Sequence, residues 1–392
     1  MEKAFSYRFY PTTEQESLLR KTLGCVRLVY NRALAVRTEA WRERQERIDY
    51  TQTSVLLTEW KKQDDLQFLN EVSSVPLQQA LRHLQSAFNN FFAGRAKYPN
   101  FKKKRHGGSA EFTKSAFRWK DGKLFLAKCL EPLNIRWSRQ LPEGVEPSTV
   151  TVRLNPAGQW YVSLRFDDPR DLTLQPVNQS VGLDAGLNSL VTLSTGEKVA
   201  NPKHFDRHYK RLRKAQQSLS RKQKGSRNWD KARLKVAKIQ QKIADCRKDH
   251  LHKLTTRLVC ENQTIVVESL AVKNMVKNRQ LARSISDAGW GELIRQLDYK
   301  TQWYGRTLVK IDQWFPSSKR CGKCGHVVEQ LPLNVREWDC PECGAHHDRD
   351  VNAAQNILAV GHTVAVCGAG VRPDRHTSKG QPRRNRNLSR EA

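Results

Sequence analysis

The sequence predicts an α+β protein of several domains, in which β-rich regions alternate with helical ones and a zinc ribbon is inserted towards the C-terminal end. The chain has 392 residues, more than one ordinary hydrophobic core holds, so two or three packed domains are expected. Residues 106–176 show strand alternation, residues 11–105 show helical periodicity, and residues 177–312 contain both. Two Cys-x-x-Cys pairs follow and indicate a metal-binding insertion.

The first strand is predicted near the N-terminal end, because Phe5 to Tyr10 alternates between polar and apolar residues. Thr13 and Glu16 have the spacing of a capping box and predict the start of a helix. Helical periodicity then continues to about Phe92, before strand patterns return. The first strand is therefore expected to join the later ones. The expected boundaries are 1–10 and 106–176 for a small β-barrel or sandwich, and 11–105 for a helical insert.

The chain is strongly basic, with 69 Lys and Arg against 39 Asp and Glu and a formal net charge of +30. This charge favours a polyanionic partner, and nucleic acid is the natural one. A membrane is a poorer candidate, because no run of about eighteen apolar residues occurs and residues 1–4 lack a signal-type apolar core. Five of the nine cysteines are scattered, as thiols in a reducing compartment are. An intracellular, cytoplasmic location is expected.

The two Cys-x-x-Cys pairs have the spacing of a structural zinc site. Fifteen residues separate the pairs, which lets four thiolates converge on one Zn²⁺. A glycine follows each pair and permits the positive φ that turns amide donors towards sulfur. Four sulfur ligands leave no position for water, so this zinc is expected to hold the fold, and four unpaired core cysteines are the alternative. The predicted ligands are Cys321, Cys324, Cys340 and Cys343, within a ribbon over 313–344.

Three carboxylates are predicted to meet at one edge of a sheet. Asp184 and Glu268 each end an apolar run typical of a buried strand, and Asp350 begins a helical pattern after the ribbon. Such a group repels itself unless cations bind, and hard oxygen ligands select Mg²⁺ or Mn²⁺. Two ions about 4 Å apart can activate water and stabilise the leaving 3′ oxygen of a phosphodiester. A metal-dependent nuclease region is therefore expected over 177–312 and 345–360.

Two basic segments are candidates for contact with nucleic acid. The helical pair over 205–258 has eighteen Lys and Arg against three Asp between Arg207 and Arg257, whereas a solvated helix face normally mixes signs. The second segment places Tyr98 and Phe101 beside four consecutive cations, which suits a sugar-phosphate backbone with a ring for stacking. A solvated basic loop is the alternative for this segment. Its cations are Lys102, Lys103, Lys104 and Arg105.

Eleven short motifs occur in a fixed order between Phe5 and Ile357. They are Arg8-Phe9-Tyr10-Pro11-Thr12, Gly24-Cys25, Val29-Tyr30-Asn31, Leu77-Gln78-Gln79-Ala80-Leu81, Phe91-Phe92, Gly182-Leu183-Asp184, Val267-Glu268, Ser317-Ser318, Asp348-Arg349-Asp350, Asn352-Ala353-Ala354 and Asn356-Ile357. In this order they resemble the motifs of TnpB, the OrfB product of small bacterial transposons. The block that ends the series is highly specific, and the ordered set is more so.

The resemblance implies a fold and an activity. The fold is a wedge-like β-barrel with a helical recognition insert, followed by a RuvC nuclease domain of ribonuclease H-like α/β fold with an inserted zinc ribbon. The activity is that of an RNA-guided DNA endonuclease related to type V CRISPR effectors, in which guide pairing reads the target sequence. The guide RNA would derive from the transposon end. The target would be double-stranded DNA beside a short transposon-adjacent motif, and strand transfer is implied for a separate transposase of the same element.

The resemblance also assigns residues. Asp184, Glu268 and Asp350 match the RuvC carboxylates that hold magnesium, and Asp348 is a second acidic residue in the last motif. A further set corresponds to positions where relatives contact the flanking duplex, and glutamine can pair bidentately with adenine there, although on a helix it is more often a plain surface residue. These residues are Tyr50, Ser54, Gln78, Gln79 and Thr113.

Two other functions are compatible with parts of the sequence. A carboxylate transposase could use the same acids and metals, and joined DNA products would distinguish it from a nuclease. A guided DNA-binding repressor without cleavage would lack RuvC acids, which this chain keeps. Residues 361–392 lose periodicity and become rich in Pro, Arg, Asn and Ser, so a disordered basic tail is expected there.

Overall fold

The computed structural model describes residues 1–332 and 334–366, and the chain divides into two compact units. Unit 1 comprises Met1–Asp171 and His208–Ala244, and unit 2 comprises Leu172–Arg207 and the chain from Asp245 onwards. Of the expected tail, residues 367–392 lie outside the described residues. Among the described helices, none combines the length and the apolar character that a membrane span requires.

Unit 1 begins with a strand, continues through three helices and ends in six further strands before its second segment. These elements are β1 (Glu2–Tyr10), α1 (Thr13–Arg44), α2 (Tyr50–Trp60), α3 (Ser74–Phe92), β2 (Gly108–Thr113), β3 (Phe117–Lys120), β4 (Lys123–Leu126), β5 (Asn134–Arg136), β6 (Thr149–Leu154) and β7 (Trp160–Asp167). The helices and one face of the strands contribute to one hydrophobic core, in which Tyr7 and Phe9 of β1 are buried together with leucines of α1 and α3.

The sheet of unit 1 has five antiparallel strands in the order β2-β6-β7-β1-β5. β1 pairs along its length with β7, from Glu2 opposite Asp167 to Arg8 opposite Tyr161. The expectation that the first strand joins the later ones is therefore confirmed. In the described chain β2 and β5 stand at the two ends of the ladder, and β3 and β4 form a separate hairpin.

The helix start in unit 1 differs from the predicted one by a residue. The N-cap of α1 is Thr12, whose hydroxyl accepts from the Gln15 amide at 3.3 Å, while Gln15 Oε1 accepts from the Thr12 amide at 3.2 Å. The predicted capping box of Thr13 and Glu16 is therefore wrong. The physical reason is burial: the Gln15 side chain also donates to the Glu131 carbonyl at 3.1 Å, a long-range contact that a local pattern does not contain.

Unit 2 contains a mixed sheet, the zinc-ribbon hairpin and the helices around them. These elements are β8 (Ser180–Ala185), β9 (Ser189–Leu193), β10 (Lys198–Ala200), α4 (His204–Ser220), α5 (Arg227–Glu261), β11 (Thr264–Glu268), α6 (Val272–Met275), α7 (Ala282–Ala288), α8 (Trp290–Tyr304), β12 (Thr307–Ile311), β13 (Glu337–Asp339), β14 (His346–Asp348) and α9 (Arg349–Val366). Two long helices, α4 and α5, have residues in both units.

The basic helical pair consists of α4 and α5, with the expected break at Gly225, whose φ is 89°. Residues 208–244 group with unit 1, where Asn155 Nδ2 donates to Gln241 Oε1 at 3.2 Å. The remaining residues of both helices belong to unit 2.

The sheet of unit 2 has the order β10-β9-β8-β11-β12. β8, β11 and β12 are parallel, whereas β9 and β10 are antiparallel to their neighbours. α9 packs against β8, and Gly182 makes this approach possible, since a Cβ there would lie 2.2 Å from the Ala354 carbonyl oxygen. α9 continues to Val366, beyond the end expected at 360.

Candidate active site

Two predicted site residues stand side by side at the ends of parallel strands. The register of β8 and β11 pairs Leu183 with Val267, and the next residues along the two strands are Asp184 and Glu268. On the other side of β11, Glu268 is opposite Ile311 of β12. Parallel strands bring their carboxyl ends to one edge of a sheet, so both side chains emerge where open α/β sheets bind ligands.

The third predicted residue joins them through α9. Asp350 lies in the first turn of this helix, which packs against β8. Burial, followed by the charges of Glu268 and Asp350, raises the pKa of Asp184 from 3.8 to about 7. Burial also raises the pKa of Glu268, while a hydrogen bond from Ser317 opposes the rise. The three carboxylates therefore share one electrostatic environment, and oxygen ligands of this kind suit a hard divalent cation.

The two acidic residues of the last motif have different hydrogen-bond partners. Asp348 accepts from the backbone amides of Asp350 and Val351 at 3.1 and 3.0 Å and pairs with Lys198 at 2.5 Å. It is thus the N-terminal cap of α9. Although burial raises it, the hydrogen bonds from Lys198 and the amides lower the pKa of Asp348 overall. Asp350, whose nearest cation is Arg336 at 3.5 Å, is the one whose charge acts on Asp184.

The four predicted zinc ligands are brought together in unit 2. Their sulfur atoms all lie within 4.8 Å of one another, with 3.7 Å between Cys321 and Cys343 and 3.6 Å between Cys324 and Cys340. Four thiolates about 2.3 Å from one zinc ion at tetrahedral angles would be about 3.8 Å apart, so the sulfur positions fit a zinc ion. Among the described residues, these four cysteines are the one group of three or more His, Cys, Asp or Glu side chains whose ligand atoms lie close enough together to hold a metal ion.

Each Cys-x-x-Cys pair forms a knuckle of the same shape. The Gly325 amide donates to the Cys321 carbonyl at 2.9 Å, and the Gly344 amide donates to the Cys340 carbonyl at 2.8 Å. Both glycines have positive φ, 81° and 67°, as the sequence predicted. The hairpin of β13 and β14 encloses the second knuckle.

Several residues around both sites were not assigned a role from the sequence. His347 Nε2 lies 3.0 Å from Cys321 Sγ, and although burial opposes them, this contact and the Cys324 amide lower the pKa of Cys321 to about 5. Ser317 Oγ donates to Glu268 Oε1 at 2.5 Å. Asn352 and Asn356 bind the backbone before the first knuckle. The sequence signal for these asparagines was their separation of four residues, which places both on one face of α9.

The predicted DNA-contacting residues lie on neighbouring elements of unit 1. Tyr50 and Ser54 are on α2, Gln78 and Gln79 are on α3, and Thr113 ends β2. α3 packs against both α2 and β2. Two contacts mark these junctions, namely the guanidinium of Arg82 4.9 Å from the centre of the Tyr50 ring, and His83 Nε2 3.0 Å from Glu111 Oε2.

The basic segment after Tyr98 is held against α1. Asn31 exchanges two hydrogen bonds with the backbone of Lys102, at 3.0 and 2.8 Å, and the ammonium of Lys102 lies 3.9 Å from the centre of the Tyr30 ring. Lys103, Lys104 and Arg105 are exposed. The segment is therefore a cationic stretch of chain that is held against the surface of α1.

Three family models match parts of the chain. Residues 163–279 match the OrfB model described as "Probable transposase", and residues 290–357 match the model described as "Cas12f1-like, TNB domain". Residues 1–46 match a model described as "Helix-turn-helix domain", although α1 is here one uninterrupted helix of 32 residues.

Full-length relatives agree with these matches. The chain is 61% identical over 381 residues to "Putative RNA-guided DNA endonuclease" of Streptomyces pristinaespiralis, covering 97% of this chain and 94% of the relative. It is 36% identical over 389 residues to "Putative RNA-guided DNA endonuclease InsQ" of Escherichia coli (strain K12), covering 95% and 96%. The fold resembles the protein in "Cryo-EM structure of the Cas12f1-sgRNA-target DNA complex", with a TM-score of 0.56, 14% identity and coverage of 91% and 98%. From the ordered motifs and these relatives, the chain belongs to the TnpB (OrfB) family.

Proposed function

We propose that this protein is an RNA-guided DNA endonuclease that cuts double-stranded DNA beside a short transposon-adjacent motif. The observation that carries the proposal is that Asp184 and Glu268 lie at the ends of neighbouring parallel strands, with the charges of Glu268 and Asp350 both acting on Asp184. The names of the two relatives support the guided activity, and the net charge of +30 supports nucleic-acid partners. The guide RNA is proposed to come from the transposon end, with any strand transfer left to a separate transposase.

The cleavage site is a single RuvC centre with Asp184, Glu268 and Asp350 as ligands of Mg²⁺ or Mn²⁺. Two such ions, when bound by these residues, would supply an activated water and would stabilise the leaving 3′ oxygen. The protein's part is to hold three anionic groups in fixed positions. Asp184 is fixed by its strand, Glu268 is oriented by Ser317, and Asp350 is set by the capped start of α9. The raised pKa of Asp184 supports this role, because mutually repelling carboxylates bind a cation more favourably than an isolated one.

The domain assignment follows from this site. Residues 177–312 and 345–360 are proposed as the RuvC domain, and the order β10-β9-β8-β11-β12, with three antiparallel strands followed by two parallel ones, supports a ribonuclease H-like fold. The ribbon, 313–344, is proposed to hold one structural zinc ion. Residues 1–10 and 106–176 correspond to the wedge-like domain, and residues 11–105 correspond to the recognition insert.

Unit 1 is proposed to provide contacts to the nucleic acids. The flanking-motif contacts are assigned to the α2, α3 and β2 positions, which belong to packed neighbours. Contacts to the sugar-phosphate backbone are assigned to the exposed cations of the segment from Lys102 to Arg105. The hydrogen bonds between Asn31 and Lys102 already fix this segment, so it loses little further conformational entropy when nucleic acid binds.

The proposal is tested by expressing the protein from its own locus and sequencing the RNA that co-purifies. A discrete RNA that ends in sequence from beyond the element is expected, and its guide then defines a target plasmid for cleavage with Mg²⁺. Asp184→Ala should abolish cutting while RNA and target binding stay near normal, and Asp298→Ala, an exposed carboxylate on α8, is the control. Random cellular RNA, or residual cutting by Asp184→Ala above a few per cent, would contradict the proposal. Joined DNA products would indicate a transposase, and target binding without cutting would indicate a repressor.

A further inference from the structure

The loop between β12 and the first zinc knuckle connects three parts of unit 2. Its Phe315 packs against the cluster of Val266, Ile311 and Ile357. Its Ser317 is buried and donates to Glu268 Oε1 at 2.5 Å. The loop continues directly into Cys321, so the segment that orients a site carboxylate is also the segment that enters the ribbon.

The same loop is fastened to α9 by two buried asparagines. Asn356 Nδ2 donates to the carbonyls of Ser317 and Arg320 at 2.9 and 2.6 Å. Asn352 Nδ2 donates to the Arg320 carbonyl at 2.7 Å, and its Oδ1 accepts from the Gly322 amide at 2.9 Å. Both sides of the knuckle entry are thus bound by the helix whose first turn carries Asp350.

The ribbon also holds the start of that helix from the other side. The Arg349 amide donates to the Arg336 carbonyl at 2.8 Å, and the Arg349 guanidinium donates to the Pro332 carbonyl at 2.7 Å. The ribbon therefore contacts the supports of Glu268 and of Asp350.

We propose that Ser317 is a positioning residue for Glu268, and that the zinc ribbon acts through Ser317 and the two asparagines to keep Glu268 and Asp350 in register. The inference rests on the proposed metal-ion nuclease site. The carboxylate of a glutamate can rotate about three side-chain bonds, and one short hydrogen bond restricts that freedom before a cation arrives. Loss of such an outer contact typically lowers metal affinity or activity about 10–100-fold.

The test compares Ser317→Ala with Ser317→Thr, which keeps the hydroxyl, and with Ser318→Ala, the adjacent serine, as a matched control. Each is prepared as the full chain with its guide RNA. Ser317→Ala is expected to slow single-turnover cleavage about 10–100-fold and to raise the Mg²⁺ concentration for half-maximal rate, while target affinity stays within about twofold. Ser317→Thr should recover most of the rate, and Ser318→Ala should match the parent. Unchanged zinc content and melting temperature show that each variant is folded.

A second readout does not depend on activity. Fe²⁺ bound in place of Mg²⁺, with added hydrogen peroxide as oxidant and ascorbate as reductant, generates hydroxyl radicals that cut the polypeptide nearby, and mass spectrometry maps those cuts around Asp184 and Glu268. Ser317→Ala should need more Fe²⁺ for the same extent of cutting. If the parent cleaves DNA and Ser317→Ala equals it in both readouts, the positioning role is refuted and the nuclease stands. If the parent cuts no DNA yet the iron cuts depend on Ser317, the nuclease assignment fails and the positioning role stands.

A different observation concerns Trp314 in the same loop. Its side chain is 82% exposed, whereas apolar side chains of this size are normally mostly buried. The turn is fixed, because Asp312 Oδ1 accepts from the Trp314 amide at 2.6 Å. Trp314 is three residues beyond Ile311, which is opposite Glu268, so its Cα is at most about 10 Å from that of Ile311.

We infer that Trp314 is a stacking platform for an unpaired nucleobase of the DNA strand that enters the carboxylate site. An exposed indole in the loop that follows β12, the strand beside Glu268, suits a base, since stacking on an aromatic ring is worth about 1–3 kcal/mol and tolerates every base. The inference again rests on the proposed cleavage site. It applies to single-stranded DNA, in which the base face is free.

The test uses the guide complex and a single-stranded target oligonucleotide that carries 2-aminopurine at each position in turn near the cut. With the parent, one position should show quenched fluorescence. Trp314→Ala should abolish that quenching and raise the apparent KM about 5–100-fold, whereas Trp314→Phe should retain much of the quenching and much of the parent's affinity. Leu130→Ala, which removes another exposed apolar side chain, is the control. Quenching that persists in Trp314→Ala would refute the platform even where cleavage itself is confirmed.

Discussion

The strongest quantitative prediction concerns Asp184→Asn and the pH dependence of stability without divalent cation. Burial and the neighbouring carboxylates raise the pKa of Asp184 from 3.8 to about 7. A carboxyl group with a higher pKa in the folded protein binds its proton more tightly there than in the unfolded chain. The folded protein is therefore most stable below the unfolded value, and this stability is lost as the pH rises through about 7.

The magnitude follows from the linkage relation. At 1.36 kcal/mol per pKa unit, the full effect for this buried group is about 4 kcal/mol, of which about 2.5 kcal/mol falls between pH 5 and pH 8. Asparagine has a similar shape and does not titrate. Asp184→Asn should therefore become more stable relative to the parent by up to about 2.5 kcal/mol over that range.

The assay is urea unfolding of the zinc-loaded protein at pH 5 and pH 8 in buffer free of Mg²⁺, followed by a signal from unit 2. Addition of Mg²⁺ at pH 8 should recover stability in the parent and not in Asp184→Asn, because the cation favours the ionised carboxylates. Asp348→Asn is the control, since the lowered pKa of Asp348 contributes stability that is lost only as the pH falls below its ordinary value of 3.8, so this variant should keep the pH dependence of the parent between pH 5 and pH 8. If Asp184→Asn follows the parent at both pH values, the reasoning about the carboxylate group is refuted.

Three further predictions concern the supports of the site. Gly182→Ala should lower stability by at least about 1–3 kcal/mol, because the added Cβ would meet the backbone of α9 at 2.2 Å. Gly291→Ala is the control and should keep the parent's stability, because a Cβ there has nothing within 4 Å. Equal melting temperatures for the two variants would contradict the close packing at Gly182. Cys321→Ser should lose zinc and destabilise unit 2, since structural zinc contributes directly to folding, and an unchanged melting temperature with zinc absent would exclude that role. Asp348→Ala should cost about 1 kcal/mol as a lost helix cap and keep most cleavage, whereas Asp350→Ala should abolish it; the reverse order of cleavage rates would exchange the two assignments.

Local pattern was sufficient for the elements that carry the predicted site. Each apolar run before Asp184 and Glu268 is a strand, and the Cys-x-x-Cys spacing brings four sulfur atoms within 4.8 Å. The helix that contains Asp350 also begins where its periodicity predicted. These features depend on neighbours within a few residues, on the period of the chain and on ligand chemistry, all of which are written in the order of the residues.

Tertiary packing decided what local pattern left open or missed. The contact between Gln15 and the Glu131 carbonyl moved the cap of α1 to Thr12, and contacts such as that of Asn155 with Gln241 grouped residues 208–244 with unit 1. Each depends on residues more than eighty positions apart, so no window along the chain contains both partners.

The chain by itself determined that acidic side chains end two strands and begin a helix, and that four cysteines can share a zinc ion. Only the tertiary structure decided that Asp348 caps α9 while the charge of Asp350 acts on Asp184, and that Ser317 donates a hydrogen bond to Glu268. The physical reason is that a residue's periodicity sets which face it occupies, whereas its role depends on which distant groups pack against that face.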